Sequence, residues 1–335
     1  VDLLELNRLM GYGSYSILRG DLMDILLSRF QQLKGVLAYG YNVIKIEAVD
    51  HSLSKVQTLN QQGREIVYFD NGQQLSADLI IGADGRMNSI ARQYVCGDKQ
   101  PVFQGFINWI GTCSTEQKLF SELTVNDFWG TGERFGVVPI TARKAYWAGA
   151  VACDRVERYD SSVDPQQCPS QNKSELLSLF KHWPRPIGQI IELSPDSSIK
   201  KIYVHDHQPI ERWHRGSVLL IGDCAHAPLP TSGQGACQAL EDAWHLSRCL
   251  PSAGVLIGTD KLHADIALSL QSFTAIRRGK TTGITMAARQ FAASLFNRDP
   301  DQCQQRDLNS RQLDYAEVVR GMAKFWSEGL PLANR

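Results

Sequence analysis

The stretch GSVLLIGDCAHAPLPTSGQGACQALEDA, residues 216–243, decides the reading of this 335-residue chain. It passes from an apolar segment, Ser217 to Ile221, through a turn-rich loop and into good helix formers from Ala236 to Ala243. The pattern is strand, loop, helix. The loop carries a carboxylate at Asp223, prolines at Pro228 and Pro230, and Gly233-Gln234-Gly235 at the mouth of the helix. A helix N-terminus opened by glycines offers unpaired backbone N–H groups and a partial positive charge. That suits an anion or a polarised carbonyl lying close to the backbone. An ionised Asp223 only accepts hydrogen bonds, so its natural partners are hydroxyls. A lone Gly-x-Gly is equally compatible with an ordinary capped βα turn.

A second stretch of the same kind lies upstream. ADLIIGADGRMNSIAR, residues 77–92, has an apolar core at Leu79, Ile80 and Ile81 that ends in Gly82-Ala83-Asp84-Gly85, with Ser89 and Arg92 on a following helix. Small residues at the end of a strand permit close backbone approach, and Asp84 can accept from a ribityl or ribose hydroxyl or from a neighbouring N–H. It is the last strand of an expected meander, Val43 to Val49, Glu65 to Phe69 and Leu75 to Gly82, in which Asp70-Asn71-Gly72 reads as a tight turn.

Together the two stretches resemble the FAD-dependent aromatic hydroxylases, the group A flavoprotein monooxygenases of the para-hydroxybenzoate hydroxylase type. The later motif is met by Gly222, Asp223, Ala225, His226, Pro230, Gly233, Gln234, Gly235, Glu241, Asp242 and Ala243, the earlier one by Ile81, Gly82, Ala83, Asp84, Gly85, Ser89 and Arg92. The resemblance implies an α/β (α+β) fold: a Rossmann-like FAD-binding domain, an inserted, mostly antiparallel β-sheet substrate domain, and C-terminal helices. The expected segments are 1–97 and 206–260 for FAD, 98–205 for substrate and 261–335 for the helices. It implies that NAD(P)H reduces FAD, that O2 adds at the flavin C4a position, and that the hydroperoxide hydroxylates or epoxidises an aromatic or polyene small molecule. Arg19, Asp84, Gly85, Gly222 and Asp223 are carried over as cofactor-binding residues. Gly233, Gln234 and Gly235 are expected at the flavin N1/C2=O edge and Pro230 along the isoalloxazine, which makes these four the catalytic candidates. Because the cofactor carries the difficult chemistry, few acids or bases are required.

Arg19 opens an expected helix over 16–34, whose apolar positions Leu18, Leu22, Ile25, Leu26, Phe30 and Leu33 repeat with helical period. Ahead of it the dinucleotide fingerprint of strand, GxGxxG and helix is not met. Gly11 and Gly13 form a Gly-x-Gly, but Ser16 stands where the third glycine belongs. The family carries that unit at its N-terminus, so the sequence is expected to be a fragment or a late-starting gene model, without the part that holds the ADP half of FAD.

From 98 to 205 the helical period gives way to short β-like runs rich in aromatics, punctuated by Gly and Pro. In the family one face of this sheet roofs the flavin and forms the substrate pocket. Phe106, Trp109, Phe135, Val137, Pro139 and Trp147 are the candidates here, although period 2 tells which residues share a face and not which face is inward. Residues 262–296 are helical by period and contain Arg277-Arg278. Family members usually follow this Arg pair with proline, where this chain has Gly279.

Composition excludes other classes. Hydrophobic residues at 43% and charged residues at 21% describe a globular chain, and 35 basic against 35 acidic residues leave no footprint for nucleic acid or an anionic membrane. No apolar run spans a bilayer. Eight scattered cysteines without a Cys-x-x-Cys pair suggest neither zinc nor a disulfide scaffold and fit a reducing cytoplasm. His205, Asp206, His207 and His214 lack ligands at metal spacing, and Cys224 with His226 is too close in sequence to form a thiol–base pair. The expected partners are a small molecule and O2, with room for a homodimer. Two rival readings stand beside the monooxygenase: a reductase or dehydrogenase on the same fold, and an inactive flavin-binding remnant.

Overall fold

The structure, a computed structural model, describes residues 1–49, 65–97, 100–116, 124–153, 169–251 and 259–331. It is a mixed α/β fold that divides into two compact units. One, the motif unit, comprises Val36–Val102 and His205–Gln290, and the other, the sheet unit, comprises Val1–Gly35, Phe103–Val204 and Phe291–Arg335. Residues 1–35 therefore group with the inserted sheet, whereas the sequence placed them in one segment with the residues up to 97. No described helix is long and apolar enough to cross a membrane.

In chain order, α1 (Leu3–Met10) and α2 (Arg19–Gln32) come first, in the sheet unit. In the motif unit, β1 (Val43–Ala48), β2 (Glu65–Phe69) and β3 (Gln74–Ser76) form an antiparallel meander, with Gly72 at φ +79° in the turn before β3. The expected strand from 75 to 82 is two strands. β3 ends at Ser76, and β4 (Ile80–Gly82) joins a different sheet, pairing in parallel with a strand far ahead in sequence. Then α3 (Ile90–Cys96) starts on an N-cap at Ser89, whose hydroxyl accepts from Arg92 N–H.

The sheet unit resumes with β5 (Val102–Ser114), β6 (Asn126–Trp129), β7 (Glu133–Thr141), β8 (Lys144–Ala152), α4 (Pro169–Leu179), α5 (Arg185–Leu193) and β9 (Lys200–Asp206). Its strand order is β6-β7-β8-β5-β9. One sheet face is covered by Leu176 of α4, by Phe180 just after it, and by Ile187, Ile190 and Ile191 of α5. Gly111 makes room for this packing, because a Cβ there would lie 2.4 Å from the Trp147 ring. On the opposite face Phe106 stacks on Phe296 at 4.1 Å, and Arg134 reaches Asp127 at 2.7 Å.

The chain returns to the motif unit with β10 (His214–Arg215), β11 (Val218–Leu220), α6 (Asp223–His226), α7 (Gly235–Cys249) and α8 (Thr259–Leu295) up to Gln290. β11 is the parallel partner of β4 and is wholly buried. It packs with Ala91 and Val95 of α3, Trp213, Leu246 and Phe273 into one core. Two Asp-capped helices, α9 (Pro300–Gln312) and α10 (Tyr315–Trp326), end the described chain in the sheet unit.

Candidate functional site

Parallel pairing of β4 with β11 brings the two glycine–aspartate motifs to the same edge of one sheet. Leu220 is in register with Gly82, and Ile221 N–H donates to Gly82 C=O at 3.0 Å. Both strands thus end together, which is where ligands of open α/β sheets bind. Close contact requires glycine at the end of β4, since a Cβ at Gly82 would lie 2.3 Å from Ala91 Cβ.

From this edge Gly222 turns the chain at φ +58°, ψ −144°, a region that other residues enter only with strain. Asp223 follows with its side chain 45% exposed and its carboxylate 3.9 Å from Arg86. Pro230 is exposed and opens a single 3₁₀ turn, Pro230–Ser232. Gly233 closes it at φ +64°, Gln234 is the N-cap of α7, and Gly235 is its first residue. At Gly85 and Gly233 a Cβ would meet nothing within 4 Å, so their need for glycine is conformational, at φ +83° and +64°. First-turn N–H groups of α7, from Gly235 onward, have no carbonyl one turn earlier to receive them. A helix mouth rich in donors, an exposed carboxylate and uncrowded glycine backbone fit a ligand bearing hydroxyls and a polarised carbonyl edge, such as FAD.

Asp84, exposed at this edge, is also hydrogen-bonded within the protein. Oδ1 accepts from Ser89 Oγ at 2.6 Å and Cys224 Sγ at 3.1 Å, and Oδ2 accepts from Ala91 N–H at 3.1 Å. The neighbouring N–H that the sequence offered Asp84 is that of Ala91. Burial, reinforced by the adjacent Asp84 carboxylate, pushes the Cys224 thiol up to about 12, so it stays protonated and is no nucleophile. Arg92, one turn into α3, is also buried. Nη1 donates to the carbonyls of Cys224 and Ala225 at 2.8 and 3.2 Å, and Nη2 to that of Gln208 at 3.3 Å, which ties α3 to the loop after β11.

Behind the loop lies an ionic network that the sequence did not reveal. Asp242, fully buried, accepts from Gly222 N–H at 2.7 Å and pairs with His226 Nε2 at 2.6 Å through Oδ2, and accepts from Arg277 Nε at 2.7 Å through Oδ1. Arg277, 1% exposed, also reaches Glu241 Oε2 at 2.7 Å and both the carbonyl and side-chain oxygens of Gln238 at 3.1 and 2.7 Å. Lys280 adds a second cation on Glu241 at 2.9 Å. Burial would raise the Asp242 carboxyl, but His226, Arg277 and the Gly222 N–H outweigh it and hold it below the usual carboxylate range. Glu241 and Asp242 were legible as motif members and Arg277 as half of an arginine pair. Their mutual contact was not.

Two of the residues read above as a metal alternative have protein partners. Asp206 accepts from Nε and Nη2 of Arg289 at 2.6 and 3.0 Å, and His207 Nε2 lies 2.6 Å from Arg86 C=O.

One expectation needs correction. Trp109, Phe135, Val137 and Trp147 are 0–2% exposed in the core on the α4/α5 face of the sheet, and Pro139 is buried at the same parity of β7. Side chains enclosed by their own unit's helices present no surface to a ligand, so these five pack the core. Phe106 stands on the other face, with Ile110, Gly136, Val138, Tyr146 and Ala148 sharing its parity across registered strands. Arg19 begins a helix, as expected; it is exposed, lies in the sheet unit, and makes no hydrogen bond or ion pair among the described residues.

A family profile described as FAD binding domain matches residues 45–261. The chain is 35% identical over 207 residues to an aurachin C monooxygenase/isomerase of Stigmatella aurantiaca, covering 62% of this chain and 49% of that protein. It is 26% identical over 321 residues to an FAD-dependent urate hydroxylase of Mycolicibacterium vanbaalenii, covering 93% of this chain and 72% of the relative. The fold matches Klebsiella pneumoniae HpxO complexed with FAD and uric acid at a TM-score of 0.81 and 24% identity, over 98% of this chain and 77% of that one. The chain thus spans about half the length of the aurachin relative.

Proposed function

The chain belongs to the FAD binding domain family, in the line of the FAD-dependent aromatic hydroxylases, and on that premise we propose that it is an FAD-dependent monooxygenase. It uses NAD(P)H and O2 to hydroxylate or epoxidise an aromatic or polyene small molecule. The observation that carries this reading is the shared edge of β4 and β11, where Asp223 and the glycine-opened mouth of α7 come together. Bound FAD, reduced by NAD(P)H, supplies the oxygen-transfer chemistry. The protein's tasks are to bind, orient and exclude water.

Within this reading Asp223 accepts from FAD hydroxyls. The N–H groups opening α7 face the flavin edge where negative charge collects on reduction, and Pro230 borders the ring. Gly85 and Gly222 let the backbone approach. The substrate wall is the sheet face of Ile110, Val138 and Tyr146 rather than the α4/α5 face. All the cysteines among the described residues are free thiols, which supports a reducing compartment such as the cytoplasm.

The purified chain is titrated with FAD and followed by flavin absorbance, then turned over with NAD(P)H under labelled O2. Uptake of flavin and incorporation of one labelled oxygen into product are expected. Consumption of NAD(P)H without label in any product would instead favour a reductase. Asp223→Ala loses charge-assisted acceptors worth about 1.5–3 kcal/mol each, so FAD binding should weaken at least tenfold. Unchanged affinity would remove Asp223 from the site.

A further inference from the structure

The donor and acceptor inventory fixes the direction of one side chain at the mouth of α7. Arg277 has only donors and meets Gln238 Oε1 at 2.7 Å, so the oxygen end of that amide faces the guanidinium. Ionised Glu241 has only acceptors and meets Gln238 Nε2 at 2.9 Å, so the nitrogen end faces the carboxylate. Reversing the Gln238 amide would set like against like at both ends, in a site where Arg277 is buried. The remaining N–H of Gln238 meets Gln234 at 3.3 Å, and only Oε1 of Gln234 can receive it. What is left is Gln234 Nε2, a pair of donors with no acceptor among the described residues, on a partly exposed side chain at the N-cap of α7.

We infer that Arg277 and Gln238 are positioning residues that hold the Gln234 amide with its nitrogen outward, as a side-chain donor to the pyrimidine edge of reduced FAD. The inference rests on the FAD reading above. It gives the network behind the loop a task in the chemistry of the site as well as in its stability. The donor adds to the backbone N–H groups of α7 at the place where the bound group gains negative charge. A donor to a charged acceptor favours the charged form, so reduced FAD is held more tightly than oxidised FAD by roughly tenfold for this one group. That ratio is about 30 mV on a two-electron midpoint potential.

The test is the midpoint potential of bound FAD in the full chain, compared with Gln234→Met, Gln238→Met and the double variant. Gln234→Met should lower it by about 30 mV. Gln238→Met should lower it in the same direction, and the double variant should fall no further than Gln234→Met, because Gln238 acts through Gln234. A purely structural role would change melting temperature and leave the potential alone. Should Gln238→Met fail to fold, Gln234→Glu serves instead: it keeps the size, replaces the donors with an acceptor, and should lower the potential further than Gln234→Met. Potentials equal to wild type with FAD bound, or additive falls in the double variant, overturn this inference alone. A wild-type chain that takes up no FAD overturns the FAD reading, and this inference with it.

Discussion

Replacing Arg277 by methionine is the perturbation whose size can be worked out most directly. Among the described residues, the change removes the only hydrogen-bond partner of Asp242 Oδ1, one of the two cations on Glu241, and the donor to both Gln238 oxygens. Breaking a buried ion pair from one side costs about 3–5 kcal/mol, since the other charge stays buried and uncompensated. Here Gly222 N–H and His226 still hold Asp242, and Lys280 still holds Glu241, so the low end, about 3 kcal/mol, applies. At roughly 2–4 °C per kcal/mol, the melting temperature should fall by roughly 6–12 °C near neutral pH. The pH dependence supplies a second check. In the wild type the Asp242 carboxyl is depressed, so its contribution is present above the unfolded value of about 3.9 and is lost as pH falls through the lower folded value. Without Arg277 the effect of burial gains weight, the carboxyl rises, and protonation relieves the unpaired charge. The gap between variant and wild type should therefore narrow as pH drops from about 7 toward 4. Calorimetric melts across that range decide it. A loss below about 2 °C at neutral pH, or a gap that stays constant, refutes the assignment of Arg277 as the counter-charge of Asp242.

Other outcomes follow from packing and titration. Gly82→Ala forces apart two Cβ atoms that would lie 2.3 Å from one another, an overpacking that costs about 1–3 kcal/mol. Adding Ala91→Gly should restore part of the lost melting temperature, and no recovery would show that the strain lies elsewhere. Burial lowers His207, His214 and His245 below the ordinary imidazole range. The unfolded chain then takes up these protons first, so the stability they contribute is complete above a pH of about 6.5 and is lost as pH falls below it. Melting temperature should decline between about pH 7.5 and 5.5, and His245→Phe, at a residue whose Nε2 has no hydrogen-bond partner among the described residues, should flatten the decline. A decline equally steep in the variant would clear His245.

The motif edge was legible because its signals are local. An apolar triplet running into glycine and aspartate marks β11, and glycines ahead of helix formers mark α7, so each needs only its own neighbours in sequence. The remainder depended on partners that sequence spacing does not name. Leu75 to Gly82 reads as one strand, since apolar residues continue through it, yet β3 and β4 pair with different strands. Alternation ties Phe135 to Val137 within β7 but does not relate them to another strand, and Phe106, grouped with them from the sequence, lies on the opposite face. Only the position of α4 and α5 shows that the face is covered. Likewise α2 has the period of a packed helix and buries no residue among those described, because period reports a stripe and not what lies against it. Arg277 meets Asp242 across the space separating α7 and α8, a pairing that nothing within either helix specifies.

The parallel pairing of β4 with β11 also bears on how the chain can fold. Gly82 and Leu220 meet across roughly 140 residues, and contacts this remote slow folding, because the loop must close before any pairing energy is returned. The inserted sheet shortens that search. Phe103 and Tyr203, near its entry and exit, lie with ring centroids 6.1 Å apart. Once the sheet has formed, only about 35 residues of free chain separate β4 from β11, two halvings that save about 1 kcal/mol of closure entropy. An insertion that folds early thus acts as a splint for the site whose chain it interrupts. Mutations that loosen the sheet should slow assembly of the motif edge without touching any residue there.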